Sequence, residues 1–115
     1  MSDLDVIREA RDYLAGLIES AVPGPWEPDG DAMLWWNDPD QPGYRLCAGR
    51  ATDAPSRDLI IALRAAAPHL VEVLADELSY LQDAARLGLH HSGLHKTKGT
   101  AILARAILGT KGQDR

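Results

Sequence analysis

Residues 56–74, SRDLIIALRAAAPHLVEVL, decide the fold that this sequence predicts. Apolar residues recur through this stretch, and onward to about Ala84, at the alternating three- and four-residue steps of one α-helix face. Ser56 is suited to cap the helix at its N-terminus. Pro68 removes a backbone donor and disfavours the helical conformation at the preceding residue. We therefore expect a helix over about residues 56–87 that is kinked or broken at Pro68.

The apolar stripe of this helix is broader than a coiled-coil seam. Because a chain of 115 residues gains stability from association, the sequence predicts a homo-oligomer. The long helix and a short apolar helix near the C-terminus are expected to form the contacts. The residues predicted to form them are Ile60, Leu63, Leu70, Leu74, Leu81, Ile102 and Ile107.

A helix and a β-hairpin are predicted before the long helix. Ser2 and Asp5 form a capping-box-like start, with Asp in place of the usual Glu, to a helix over about residues 3–21. The Pro-Gly-Pro step at 23–25 ends this helix. Residues 31–37 and 44–48 read as the two strands of the hairpin, because the segment between them is dense in turn-forming residues.

A short helix is predicted near the C-terminus, after a loop over residues 88–99. Thr97 or Thr100 is placed to cap it, and Gly109 is placed to end it. The resulting expectation is an α+β, mostly helical fold: N-terminal helix, β-hairpin, long Pro-kinked helix and short C-terminal helix. Residues 1–109 are predicted to form a single domain, with a frayed tail over residues 110–115.

The net charge of −5 is unevenly distributed. Residues 1–83 carry −10, whereas residues 84–115 carry +5. Such polarity can steer a partner, or it can draw together the opposite ends of neighbouring protomers. The chain has one cysteine, no apolar run long enough to span a bilayer and no apolar signal region at its start. These features predict a protein that is not exported, that acts in a reducing compartment and that has no membrane association.

The hairpin is the first candidate for contact with a partner, because it combines aromatic residues with an acidic turn. Adjacent tryptophans point to opposite faces of a strand, so both cannot be buried under one layer, and an exposed tryptophan often anchors an interface. The predicted partner-binding residues are Trp35, Trp36, Asp38, Asp40 and Tyr44. The acids could also imitate nucleic-acid phosphate, which would suit inhibition of a nucleic-acid-binding protein.

A basic segment directly before the last helix is a candidate anion site, because a helix N-terminus offers free N–H groups and a positive dipole end. The residues assigned to it are His90, His91, His95, Lys96, Thr97, Lys98 and Thr100. The alternative is an exposed basic loop without a ligand, and the order of residues is not that of a phosphate-binding P-loop.

No catalytic residue, metal site or cofactor is predicted. Gly93 lies between His91 and His95 and argues against the rigid helix that two zinc-binding histidines would need. Cys47 lies in a predicted strand, where a lone cysteine is typically a small buried hydrophobe, and no spacing indicates a partner base. Direct nucleic-acid binding is not expected, because the chain is acidic overall and the last helix carries only Arg105 as a base.

Two segments together resemble a pattern in small phage and prophage proteins. The first is the Pro-Gly-Pro-Trp step at 23–26, which precedes a β segment. The second is the predicted helix over 57–71, RDLIIALRAAAPHLV, which resembles a Leu-Ile-Ala-x-Ala-x-x-x-Pro-x-Leu-Leu motif. The resemblance covers about residues 21–78 and brings no catalytic residues with it. It implies an accessory gene product of an actinobacterial phage or prophage that acts inside the bacterial host.

Three functions are consistent with these features. The first is a non-enzymatic phage accessory protein that binds and inhibits a host or antiphage-defence component, since occlusion of a partner needs no catalytic residue. The second is sequestration of a small anionic signal, such as a nucleotide, by the basic segment around Lys96 and Lys98. The third is a structural homo-oligomer in phage assembly.

Overall fold

The protein is mostly helical, and a small antiparallel sheet follows the first helix and precedes the second along the chain. The structure, a computed structural model, describes residues 2–28, 32–88 and 95–111, except for the side chains of residues 95–97. In these ranges the elements are α1 (Asp3–Ser20), β1 (Glu27–Pro28), β2 (Met33–Asn37), β3 (Arg45–Arg50), α2 (Ala54–Arg86) and α3 (His95–Leu108). The order of helix, hairpin, long helix and short helix confirms the predicted α+β fold.

The start of α1 is capped as the sequence predicts. The Asp5 amide donates to the Ser2 hydroxyl oxygen at 3.2 Å, and that hydroxyl donates to the Asp5 carboxylate at 2.9 Å. One amide that the first helical turn leaves without a partner is thereby satisfied, and the carboxylate lies near the positive end of the helix. The helix ends at Ser20, one residue before the predicted end.

The capping residue of α2 is Asp53, and the prediction of Ser56 is wrong. The helix begins at Ala54, and the Ser56 amide donates to Oδ1 of Asp53 at 2.8 Å. Ser56 therefore occupies the third helical position, where its amide needs a cap, whereas Asp53 supplies the acceptor. The signal for this cap in the sequence is Asp53 itself, because aspartate is favoured directly before the first helical residue.

The long helix α2 is not broken at Pro68. It runs for 33 residues with Pro68 inside it, although proline provides no N–H for the carbonyl of Arg64 four residues earlier. Gly88 follows its C-terminus with φ of +75°, and its amide bonds to the carbonyl of Ala85 at 3.1 Å. A glycine in the left-handed conformation is the common way to end a helix, because other residues are strained there.

The sheet has the order β1-β2-β3 and is antiparallel throughout. The predicted strands at 31–37 and 44–48 are found at 33–37 and 45–50, whereas the two-residue strand β1 was not predicted. A bulge separates the pair Leu34–Gly49 from the pair Trp35–Cys47, so that one residue of β3 has no counterpart on β2.

The start of α3 differs from the prediction, and its end agrees. The helix begins at His95, so residues 95–99 are not loop and neither Thr97 nor Thr100 is its cap. It ends at Leu108, directly before Gly109, as predicted. Thr110 and Lys111 continue as a hydrogen-bonded turn, and the frayed tail over residues 110–115 stays a prediction.

The chain divides into two compact units, a division that no linker or composition shift in the sequence indicates. The helical unit comprises Met1–Gly16 with His69–Arg115, and the hairpin unit comprises Leu17–Pro68. The core of the helical unit is drawn from α1, α2 and α3. Its buried residues are Val6, Ile7, Ala10, Leu74, Leu78, Leu81, Ala101 and Ala104.

Two of the residues predicted for assembly belong to this core. Leu74 is 0% exposed and Leu81 is 6% exposed, and both pack within the helical unit of a single chain. Because both are buried within one chain, they offer little surface to a second copy. The face of α2 that carries them is covered by the chain's own helices.

Ion pairs join the acidic first helix to the basic last helix within one chain. Arg105 donates to Asp3 at 2.8 Å, and Lys111 lies 3.4 Å from Glu9. All four side chains are about half exposed, so each pair stabilises the fold by at most about 1 kcal/mol. Part of the charge polarity is therefore satisfied inside the protomer, where the sequence suggested attraction between protomers.

Replacement of Leu78 by alanine should lower the free energy of unfolding by about 2–5 kcal/mol, because Leu78 is 2% exposed in the core and the substitution leaves a cavity. Leu87→Ala is the matched control, since Leu87 is 68% exposed near the end of the same helix. The control should change the free energy by no more than about 0.5 kcal/mol. Equal losses in urea denaturation would contradict the assignment of the core.

The cap of α2 should make stability depend on acid pH. Hydrogen bonds from the Ser56 amide and then the Ser56 hydroxyl hold the pKa of Asp53 below its ordinary value. Because the folded-state pKa is the lower one, this stabilisation is present above the ordinary pKa of about 3.9 and is lost as the pH falls through the folded-state pKa.

The predicted result is a Tm difference between the wild type and Asp53→Asn that narrows as the pH is lowered below about 4. The asparagine is the matched control, because it retains the capping acceptor but does not titrate. A Tm difference that stays constant across this pH range would show that the Asp53 carboxylate does not stabilise the helix.

Candidate partner-binding face of the hairpin

One face of the hairpin exposes apolar side chains next to the turn. Trp36 pairs with Leu46 across the two strands, and the Asp38 amide continues the ladder by donating to the carbonyl of Tyr44 at 3.0 Å. Alternation along β3 places Tyr44 and Leu46 on the same side as Trp36. Tyr44 is 48% exposed, Leu46 is 36% exposed and Trp36 is half-buried. We call these three residues the hairpin face.

The turn beside the hairpin face is organised by Asp38. Its Oδ1 accepts the amide of Asp40 at 2.8 Å, and its carbonyl accepts the amide of Gln41 at 3.4 Å. Aspartate is favoured at such positions because its short side chain can bond to the backbone two residues later. The Asp38 carboxylate therefore shapes the turn, whereas Asp40 is exposed and carries the acidic charge toward solvent.

Trp35 lies on the opposite face of the hairpin, where Arg45 covers it. The guanidinium carbon of Arg45 is 4.0 Å from the centroid of the Trp35 ring, within the range of a cation–π contact. Beside them, the side-chain amide of Asn37 donates to the Glu27 carboxylate at 2.6 Å. The indole N–H of Trp35 is buried and has no hydrogen-bond acceptor among the described residues. Trp35 is thus already in contact with its own chain.

The structure brings together part of the predicted partner-binding set and adds one residue to it. Trp36, Asp38, Asp40 and Tyr44 lie at one end of the hairpin, whereas Trp35 belongs to the face under Arg45. Leu46 was missed, although its period-two spacing from Tyr44 was a readable signal. The contact of Arg45 with Trp35 depends on a strand register that the sequence does not specify.

The predicted anion site lies largely outside the described parts of the chain. His90 and His91 are not among the described residues, and nothing is established for the side chains of His95, Lys96 and Thr97. Lys98 is exposed. Thr100 is only 7% exposed inside α3, so little of it is accessible to a ligand, and the anion contact stays a prediction.

The remaining predicted assembly residues differ in exposure. Leu63 and Ile102 are 56% and 67% exposed, whereas Ile60, Leu70 and Ile107 are half-buried. Leu59, one helical turn before Leu63, is 60% exposed and extends this apolar ridge on α2. Leu63 on this ridge and Ile102 on α3 are the predicted association residues that the fold leaves most accessible.

The described residues contain no group of three or more His, Cys, Asp or Glu side chains that could hold a metal ion. Cys47 is exposed and its sulfur lies 3.7 Å from the carbonyl of Gly49, so the prediction of a buried cysteine is wrong.

Comparison with known proteins does not assign the chain to a family, because no family model, curated protein or solved structure matches it significantly. Within the described ranges, the helices lack the combination of length and apolar character required for a membrane span. Functional inference therefore depends on the faces and clefts of the chain itself.

The contact between Arg45 and Trp35 should contribute measurably to stability. Arg45→Ala is expected to lower the free energy of unfolding by about 0.5–1 kcal/mol, because the ring loses a cation that shields it from water. Arg50→Ala, an exposed arginine at the end of the same strand, serves as the control. A double-mutant cycle with Trp35→Leu isolates the pair, and a coupling energy near zero would contradict the contact.

Proposed function

We propose that this protein acts by binding another protein through the hairpin face, without catalysing a reaction. The observation that carries the proposal is the exposure of Tyr44 and Leu46 beside the half-buried Trp36. Large aromatic side chains at the centre of a patch supply most of the binding energy in typical interfaces. The pairing of β2 with β3 holds these side chains in place, which reduces the entropy lost on binding.

The chemistry of the partner follows from the charge around the hairpin face. Asp40 is exposed at the adjacent turn, so the partner surface that fits best combines an apolar pocket with a basic rim. Rim charges of this kind accelerate association and select the partner, whereas the apolar contacts determine how long the complex lasts.

The resemblance to small phage and prophage proteins suggests the biological setting in which the protein would act. In this setting the chain is an accessory protein that binds and inhibits a host or antiphage-defence component in the bacterial cytoplasm. Inhibition by occlusion needs only a complementary surface, which is consistent with the exposed apolar side chains of the hairpin face.

A structural homo-oligomer is the second candidate, because Leu59 and Leu63 expose an apolar ridge on α2. An exposed apolar patch is a common mark of an interface. The two candidates use different residues, so substitutions can separate them. No observation on the described residues favours sequestration of an anionic signal by the basic segment around Lys96 and Lys98.

The test replaces the hairpin face without disturbing its strand. In the double variant Tyr44→Ser, Leu46→Thr the apolar contacts are lost, while threonine retains a high preference for β structure. Wild-type and variant proteins, each affinity-tagged, are expressed in an actinobacterial host, and copurified proteins are quantified by mass spectrometry. We expect one partner to be enriched with the wild type and reduced by about tenfold or more with the variant.

The matched control is Val73→Thr, Leu87→Ser, which removes two exposed apolar side chains from the helical unit. The control should retain the partner and any effect of expression on host growth or phage infection. Retention of the partner by the hairpin variant would contradict the proposal.

Loss of self-association in Leu59→Ser, Leu63→Ser, with no partner captured by any protein, would favour the homo-oligomer.

A further inference from the structure

A cleft in the hairpin unit combines apolar walls with a single arginine. Its volume is about 340 Å³. The residues that line it are Ile18, Gly24, Pro25, Arg64, Ala65 and Pro68. We call it the Arg64 cleft. It shares no residue with the hairpin face, so an inference drawn from it is independent of the function proposed above.

The guanidinium of Arg64 is held in position by the segment between α1 and β1. Its Nη2 donates to the carbonyl of Val22 at 3.4 Å, and its central carbon lies 5.4 Å from the centroid of the Trp26 ring. The indole N–H of Trp26 donates to the same Val22 carbonyl at 3.0 Å, which fixes the ring. The cation is therefore oriented before any ligand arrives.

Gly24 permits this arrangement because it has no side chain. A Cβ atom at position 24 would lie 2.9 Å from the guanidinium carbon of Arg64, closer than Cβ contacts normally come. The backbone of the Pro-Gly-Pro step thus packs directly on the guanidinium. A side chain at position 24 would therefore displace the Arg64 guanidinium from this position.

Arg64 has no anionic partner among the described residues. Its only hydrogen bond there goes to Val22, and its Nε is buried without an acceptor. By contrast, Arg8, Arg57 and Arg105 each lie within ion-pair distance of an aspartate. A half-buried cation without a counter-ion is costly, so a bound anion would offset a desolvation penalty that the fold already carries.

We propose that the Arg64 cleft binds a carboxylate attached to a short apolar group. The planar fork of a guanidinium matches the two oxygens of a carboxylate, and the side chains of Ile18, Pro25 and Pro68 offer apolar contact to the rest of the ligand. Small-molecule sites typically combine such walls with a few fixed polar groups.

The donors of the cleft favour a carboxylate over a phosphate. Pro25 and Pro68 have no N–H, and the amides of Ile18 and Ala65 lie inside helices, where they bond to the preceding turn, so Gly24 is the one lining residue besides Arg64 with an N–H outside a helix. A phosphate brings more oxygen atoms and a second negative charge, which one guanidinium cannot satisfy. A carboxylate needs only the donors that Arg64 provides.

The competing interpretation is that Arg64 serves only to hold the Pro-Gly-Pro step on α2. The two interpretations differ in what a neutral analogue of the ligand should do. The probes are isobutyrate, isobutyramide and inorganic phosphate, added to the whole protein labelled with ¹⁵N. The signals followed by NMR are the Arg64 Nε–H group and the Gly24 amide.

Isobutyrate is expected to shift both signals in a saturable manner and to bind at least about tenfold more tightly than isobutyramide or phosphate. Arg64→Lys should weaken isobutyrate binding, because lysine cannot present a fork. Arg8→Gln, which alters an exposed arginine of the helical unit, should leave it unchanged. Equal shifts with isobutyrate and isobutyramide, or no saturable shift with isobutyrate, would overturn the proposal.

The acid-against-amide comparison uses the wild type, so it stands even where Arg64→Lys destabilises the turn. A second pair of probes identifies the source of the carboxylate: an acetylated tripeptide that ends in valine, with a free or an amidated C-terminus. If the free-acid peptide binds more tightly than isobutyrate, the natural ligand is a polypeptide C-terminus. If the peptide binds more weakly than isobutyrate, the natural ligand is a free small acid. Either ranking supports a carboxylate site.

Discussion

The register of β2 against β3 determines which side chains this protein presents to a partner. With Trp36 opposite Leu46 and the ladder extended to Tyr44, three large side chains lie on one side of the hairpin. A shift by one residue would bring Trp35 to that side and place Trp36 on the other. The bulge after Leu34 and the Asp38 turn are the two features that hold the register.

Contact with Arg64 holds the backbone of the segment that precedes this hairpin. The segment between α1 and β1 packs on the guanidinium because Gly24 has no side chain and because the Val22 carbonyl accepts bonds from both Arg64 and Trp26. The arrangement explains in physical terms why a Pro-Gly-Pro-Trp step and an arginine about forty residues later belong to one unit. It also leaves a half-buried cation in a cleft with apolar walls.

The elements of the fold could be predicted because their signals are local. The capping pair Ser2 and Asp5, the dense turn before Tyr44 and the period of the α2 stripe each act over a few residues. The complete burial of Glu77 on the same helix has no such local signal. Propensity ranks residues by type and does not reveal which helix covers them.

The candidate site was only partly predictable, for the same reason. An exposed tryptophan was expected on the hairpin, yet the decision between Trp35 and Trp36 depends on Arg45, which reaches the ring only in the observed register. The Arg64 cleft depends on an ångström-scale approach between Gly24 and a side chain forty positions away. No pattern in a single sequence encodes such a distance.

The most direct measurement of the central claim is site-specific photo-crosslinking in living host cells. A photoreactive amino acid is placed at position 46, on the hairpin face, or at position 87, which is exposed at the end of α2. The account predicts one dominant crosslinked protein from position 46 and little from position 87. A partner that is crosslinked from position 87 and not from position 46 would contradict the assignment of the hairpin face as the binding surface.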